Sequence, residues 1–577
     1  MKSIGKFLLL GLALLLVSGL VLPVMAQDKP APGEGGILIE GNFGGDPASF
    51  NPILASDTAS SRITLLSFPG FIGVDPATAL FEKGRADALA LDWTISEDGL
   101  TYTFTLRDDW KWSDGTPITS KDIVYGWKAA LAGAEGIVDT SWSFVVDSIE
   151  SVEAPDDYTV VATMKENNCA ALNNIGVLNP VPSHVLPEDL ALLNDDPFNT
   201  NPTVSGGVFK FVEFRPAEAV SLEANQEFSG ATNGEVLPAG FIYKVVPDQT
   251  VLVEQFIAGE TNVIDGPPVN RRDDLLADEN LNMYNYPGNA WDYLMLNLAD
   301  PTNPQNGQDE AGNPIDQGHH PLFGDVRVRE AIAKAINVDD IIQGAVFGHG
   351  ERMTSVIIPA SWAYAKDLPP IGYDPEAAKA LLDEAGWVDD DNNVDTPRVC
   401  KGCEYAEEGT PFNFVLYTNE GNTRRGAVGT ITQDQLKQIG LGVDFQAIDF
   451  NTLLDIMDGQ TYDAVILGWR NGYPDDPDLT QLFTPAGDVV GGGSNNASYY
   501  NPEMVELNAQ ARSLPGCDPA ARAEIYAKIQ EIMQKDLPYV PLYAINGMYG
   551  ASAGVEGFGP YPSQLYWNVD TWYLATP

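Results

Sequence analysis

Between residues 412 and 469 the hydrophobic pattern switches repeatedly between a period of two and a period near 3.6, and a sheet interleaved with helices accommodates such switching. Phe412 to Tyr417 reads as a strand, a helical stretch follows to Ile439, and Gly440 stands where its C′ stop belongs. Val443 to Ile448 returns as a strand. Asn451 then caps a short helix ended by Gly459, and Tyr462 to Trp469 is nearly all apolar, as expected of a parallel strand covered on both faces. The unit is βαβαβ and the class is α/β. Strand Phe241 to Val246, helix Asp248 through Phe256 to Gly259, and strand Asn262 to Asp265 place the same architecture in the other half of the chain.

Helix punctuation is clear elsewhere. Asp374 caps a helix over 375–385 with Pro375 in its first turn, Leu381 and Leu382 on its core face and Gly386 as its stop, and Asp518 with Pro519 opens another over 519–536. From Leu91 to Lys128, Tyr102, Phe104 and Leu106 alternate, Asp114-Gly115 turns, and Thr119-Ser120 caps an amphipathic helix carrying Ile123, Trp127 and Leu131. Segments 300–320 and 388–410 are rich in Asn, Asp, Gly and Pro, lack periodicity, and read as surface insertions.

The N-terminus addresses the chain for export. Lys2 and Lys6 precede an apolar run from Phe7 to Val24, and Val24-Met25-Ala26 offers a cleavage site, so residues 1–26 read as a signal peptide; an uncleaved anchor is the alternative. The formal charge is −49 with a pI near 4.1, which repels phosphate and speaks against nucleic acid as a partner. Hydrophobic residues make up 44% of the chain, enough for a large core. Four cysteines do not make a disulfide framework for a chain this long. Cys400-Lys401-Gly402-Cys403 is expected either to close on itself or to cross-link to Cys169 or Cys517.

Motifs for common chemistries are missing. There is no G-x-x-x-x-G-K loop, no G-x-G-x-x-G opening a helix, no G-x-S-x-G and no H-E-x-x-H, so no cofactor and no catalytic residues are expected. His319-His320 sits in a Gly/Pro loop and reads as a solvated turn, not a zinc site. Asp389 to Asp395 resembles the start of a calcium loop but carries Val394 at its sixth position and Cys400 at its twelfth, so a polar turn is favoured over a metal. Paired carboxylates for glycoside hydrolysis stay open, because any of 81 acids could be apposed.

One series of blocks carries a family signature. Leu91 to Arg107, with Trp93, Gly99 and Tyr102-Thr103-Phe104, followed by Trp112-Ser113-Asp114-Gly115-Thr116-Pro117-Ile118-Thr119, resembles the family 5 extracellular solute-binding proteins, the oligopeptide, dipeptide and nickel type binding components of ABC importers. Asp325 to Ile332, Asp374 to Trp387, Leu436 to Gly442 and Tyr462 to Asp478 follow in the family's order. The resemblance implies a type II periplasmic-binding-protein fold, with mixed sheets flanked by helices and two lobes hinged about a cleft. It implies lobe I over 27–290 with an extra subdomain, lobe II over 291–544, and a return to lobe I over 545–577. The chain would cross between lobes near 285–291 and 541–546.

The function so implied is capture of a peptide or similar small solute by an exported, periplasmic or cell-surface receptor, monomeric and without catalysis, which delivers its cargo to a membrane permease. An oligosaccharide receptor and a secreted acidic hydrolase are the alternatives. Gly468-Trp469 is similar to the family's Gly-Trp at a strand end, which places Trp469, Arg470, Asn471, Gly472, Tyr473 and Asp475 at the cleft, with a core position as the other reading of Trp469. The family's ammonium-binding Asp falls at Gly472, leaving Asp475 or Asp476 as substitutes. Trp291, Tyr293 and Met295 share one strand face, which either packs against helices or offers aromatic platforms to ligand. Asn51, in the family's early Asn-Pro, is expected to brace lobe I.

Overall fold

Two long strands, Leu281–Leu296 and Tyr539–Ser552, pair antiparallel in the middle of an eleven-stranded mixed sheet. The computed structural model describes residues 29–43, 45–472, 475–562 and 564–575. On one side of the long pair the sheet continues through Ala464–Arg470, Asn413–Asn419 and Gly442–Ile448. On the other it continues through Val263–Asp265, Ile37–Phe43, Gly240–Val246, Ala219–Ala224 and Phe209–Arg215. A separate five-stranded sheet is built from residues of the 70–164 region, including the predicted hairpin Ala88–Ile95 and Thr101–Leu106.

Both predicted α/β units are present. Ile37–Phe43 lies parallel between Gly240–Val246 and Val263–Asp265, and the helix Gln249–Ile257 that joins them is capped by Asp248. In the other unit Asn413–Asn419 and Gly442–Ile448 are parallel, joined by the helix Thr423–Lys437, with Gly440 in the left-handed region at φ 83°. The apolar strand starts at Ala464 instead of Tyr462. It is parallel to Asn413–Asn419 over two residues and antiparallel to Leu281–Leu296 over its whole length, so it is the seam where the sheet changes direction. The short helix Phe450–Asp458 is capped by Asp449, which accepts from Thr452 N at 3.0 Å, and not by Asn451.

Alternation along Leu281–Leu296 divides two cores. Leu294 and Leu296 pack with Ile332, Trp387, Leu436 and Ile466; Trp291, Tyr293 and Met295 face the opposite way among Met457, Tyr526 and Tyr539. Farther along the long strands, Tyr549 and Ala551 join a third cluster with Leu38, Phe241 and the C-terminal Trp572. A fourth, rich in tryptophan, lies against the five-stranded sheet. There the helix Ser120–Ala134 buries Ile123, Gly126, Trp127 and Ala130, whereas Leu131, expected on that face, points outward and is 39% exposed.

Asn51 is fully buried and braces its loop, donating from Nδ2 to Asn199 Oδ1 at 3.0 Å and accepting from Ile53 N at 3.1 Å. His320 corrects the reading of its loop, because it is buried and meets Asp463 through Nε2 at 3.1 Å, while His319 packs on Tyr405. In the acidic run, Asp389 accepts from Asn392 N and Asp391 from Asn393 N, which is a polar turn.

Cysteine pairing is settled by position. Cys400 pairs with Cys403 within a small hairpin, and Cys169 pairs with Cys517 across 348 residues of sequence. Around the long-range bridge, Cys169 N donates to Arg512 O at 2.7 Å, Asn167 Nδ2 donates to Ser513 O at 3.2 Å, and Arg512 pairs with Glu166. Among the described residues no helix is long and apolar enough to cross a membrane.

Candidate functional site at the crossing strands

Where the two long strands cross from one set of cores to the other, the pairing register shifts between Tyr286 and Ala290. Gly288 sits in that shift, and a Cβ there would lie 2.0 Å from Ile545 O, so only glycine lets the backbones approach. The irregularity opens onto a cleft of about 1200 Å³. Its walls include Asn42, Arg62, Tyr243 and Tyr566 on one side, Arg470 on the other, and Gly288 to Ala290 with Ile545 to Gly547 at the back. Phe43 and Leu65, 54% and 68% exposed, give the wall apolar surface.

Charge in this wall centres on Arg62. Arg62 meets Glu40 Oε1 at 2.7 Å and also contacts Asn42 and Asp265, and Tyr566 donates to Glu40 Oε2 at 2.5 Å. Burial raises the Glu40 carboxyl above the usual range although Arg62 pulls the other way. Burial also opposes the Arg62 charge, but Tyr566 and Glu40 outweigh it and hold the guanidinium above its ordinary pKa.

A second recess of about 200 Å³ is lined by Trp291, Trp469, Arg470, Asn471, Gly472 and Asp475, so Arg470 borders both spaces. Asn471 organises it. Its N–H donates to Asn289 O at 3.0 Å, its carbonyl accepts from Asn289 Nδ2 at 2.6 Å, Trp291 Nε1 donates to its Oδ1 at 3.2 Å, and its Nδ2 donates to Asp475 Oδ1 at 3.1 Å. Burial raises the Asp475 pKa, against the pull of Ser361 and Asn471, and its Oδ2, itself buried, has no hydrogen-bond partner among the described residues. Asp476 is occupied in a two-pronged pair with Arg522 at 2.8 and 2.9 Å. Of the two acids considered as substitutes, Asp475 is the one left with an unpartnered oxygen among the described residues.

Tyr293 is a correction. It is fully buried, stacked 4.2 Å from Tyr539 behind Trp469, and reaches neither space. Trp291 touches the recess with the edge of an otherwise buried ring, and Tyr473 lies outside the described residues. Sequence reasoning missed Arg62, Asp265 and Arg272, which stand in no recognised motif; the one available signal was that Asp265 ends a predicted strand. Among the described residues no group of His, Cys, Asp or Glu is placed to hold a metal ion.

A mixed sheet with helices, traversed by two strands beside a cleft, is the architecture of a type II periplasmic solute-binding protein. The chain belongs to the bacterial extracellular solute-binding proteins, family 5, whose "Middle" description matches residues 86–489. It is 27% identical over 557 residues to the oligopeptide-binding protein AppA of Bacillus subtilis, covering 94% of this chain and 92% of that protein. The structure of that AppA with a nonapeptide aligns at TM-score 0.69 and 26% identity, covering 95% of this chain and 100% of the other. The Helicobacter pylori protein DppA in complex with the peptide STSA aligns at TM-score 0.69 and 24% identity, covering 94% and 99%.

Proposed function

We propose that this chain is the solute-capturing component of an ABC importer and that it holds a peptide in the cleft without altering it. The observation that carries the reading is Asp475, a buried carboxylate whose Oδ2 has no hydrogen-bond partner among the described residues, in a recess that adjoins a cleft large enough for several residues. A peptide's α-ammonium would complete that oxygen, and Asn471 holds the carboxylate in place from its other side. The oligopeptide-binding relatives and the peptide-bound neighbours support the same cargo.

In this reading residues 27–290 and 545–577 form one lobe, residues 291–544 form the other, and Leu281–Leu296 with Tyr539–Ser552 serve as the hinge. Ligand contacts to both lobes favour the closed state, which a membrane permease recognises. The protein acts as a monomer and is exported by its N-terminal segment, which lies outside the described residues.

Native mass spectrometry of the purified protein identifies any retained ligand. A thermal-shift panel of free nonapeptides and oligosaccharides then separates the cargo classes, since a ligand at a hundred times its Kd stabilises by about 2.7 kcal/mol. The reading expects stabilisation by peptides alone and recovery of the peptide intact. Stabilisation by sugars alone, or recovery of cleaved peptide, overturns it.

A further inference from the structure

Arg272 stands in the wall of the large cleft, only 6% exposed, and no carboxylate pairs with it among the described residues. Its Nε donates to Pro267 O at 3.0 Å and its Nη1 to Asn546 O at 2.5 Å. These two carbonyls fix the plane of the guanidinium and leave Nη2 without an acceptor among the described residues. Nearby acids are engaged elsewhere: Asp265 with Arg62, Asp273 with His349 at 3.1 Å, and Asp274 with Arg271 at 3.4 Å.

Burial takes the guanidinium down to about 10, and the group favouring its charge is Tyr286, another residue of the cleft wall. Arg272 is therefore still cationic at neutral pH, and a buried cation without a counter-ion is costly unless something arrives to neutralise it. Across the cleft Arg470 likewise has no ion pair among the described residues.

We infer that Arg272 receives a carboxylate of the bound solute at the back of the cleft, where its free guanidinium edge faces the ligand space. The assignment rests on the peptide reading and deepens it. Asp475 and Arg272 then form opposite charged poles, matching a ligand that carries both an ammonium and a carboxylate. A peptide can present that carboxylate at its C-terminus or on an Asp or Glu side chain.

Isothermal titration with three nonapeptides tests this: one of Ala, Gly and Ser with a free C-terminal acid, the same sequence amidated, and the amidated sequence with one internal Glu. Wild-type protein should bind the free acid, the Glu peptide or both about 10- to 100-fold tighter than the neutral amide. That preference should fall to near unity in Arg272→Gln and survive in part in Arg272→Lys, which keeps the charge. Tight binding of the Glu peptide alone places the carboxylate on a side chain, tight binding of the free acid alone places it at the C-terminus, and tight binding of both shows that either source fills the site; each supports the assignment. Equal binding of all three peptides by wild type, or a preference undiminished in Arg272→Gln, overturns it.

If Arg272→Gln loses its wild-type circular dichroism, the acid-to-amide ratios of wild type and Arg272→Lys decide. If no peptide binds, the peptide reading fails by itself, and the Arg272 assignment is read by thermal shift with glutarate and citrate against glutaramide. A wild type stabilised by the acids and an Arg272→Gln variant indifferent to them uphold it; a wild type indifferent to both overturns it.

Discussion

Asp292 and Arg425 meet directly beneath the Gly-Trp strand end, Oδ1 to Nε at 3.3 Å, where Asp292 is 1% exposed. Arg424 contacts the same carboxylate and Tyr543 donates to its Oδ2 at 2.7 Å, so one acid balances two largely buried cations. Burial lowers the pKa of both arginines. Asp292→Ala leaves them without a counter-ion and should cost about 3–5 kcal/mol in urea unfolding, with an unchanged m-value.

The same pair explains why residue 468 is glycine. A Cβ there would lie 2.4 Å from Asp292 Oδ1, 2.5 Å from Trp291 O and 2.9 Å from Arg425 Nη2, and the second of these is backbone. Gly468→Ala should destabilise by about 1–3 kcal/mol and lower peptide affinity, because Trp469 and Arg470 are displaced with the strand.

Asp475→Asn separates binding from folding. Removing a charge whose ionisation is opposed by burial should leave the melting temperature of the free protein unchanged or higher, while peptide affinity falls about 10- to 100-fold. The carboxylate must be ionised to hold an ammonium, so wild-type affinity should decline as pH drops through the raised pKa of Asp475. The variant should show no such decline by calorimetry.

Asp488 governs a pH dependence of stability away from the cleft. Burial lifts its carboxyl to about 6 although Gln317, Ser498 and Gln460 offer it hydrogen bonds. The folded state therefore holds this proton more tightly than the unfolded state, and stability contributed at this site falls as pH rises from about 4 to about 6, then stays flat. Asp488→Asn should be more stable than wild type by about 1–3 kcal/mol at pH 8, with the advantage gone at pH 4.

The Cys169–Cys517 bridge ties the tryptophan-rich core to the segment that precedes the helix Pro519–Asp536. Its loss in Cys169→Ser/Cys517→Ser should cost about 2–5 kcal/mol by freeing a very long loop in the unfolded chain. In solution scattering the ligand-free double variant should show a larger radius of gyration, since in the two-lobe arrangement proposed above the bridge bounds how far the lobes can part.

What the sequence disclosed follows the range of the interaction. The caps Asp374 and Asp518 were legible because each bonds a backbone N–H three residues away. Asp449 was missed beside Asn451 because both are good caps and nothing local separates them. Period-two alternation told that Trp291, Tyr293 and Met295 share a face, but not that Tyr526 and Tyr539 are the neighbours it packs among. The environment of Arg272 depends on Asn546, 274 residues distant, and no spacing rule reaches that far.

With Cys169 joined to Cys517, most of the chain is a covalent ring that includes the first crossing strand. A protease that nicks any exposed loop between these two cysteines cannot release a fragment. The cut protein stays one species on a gel until thiol is added, and the damage goes unseen under oxidising conditions.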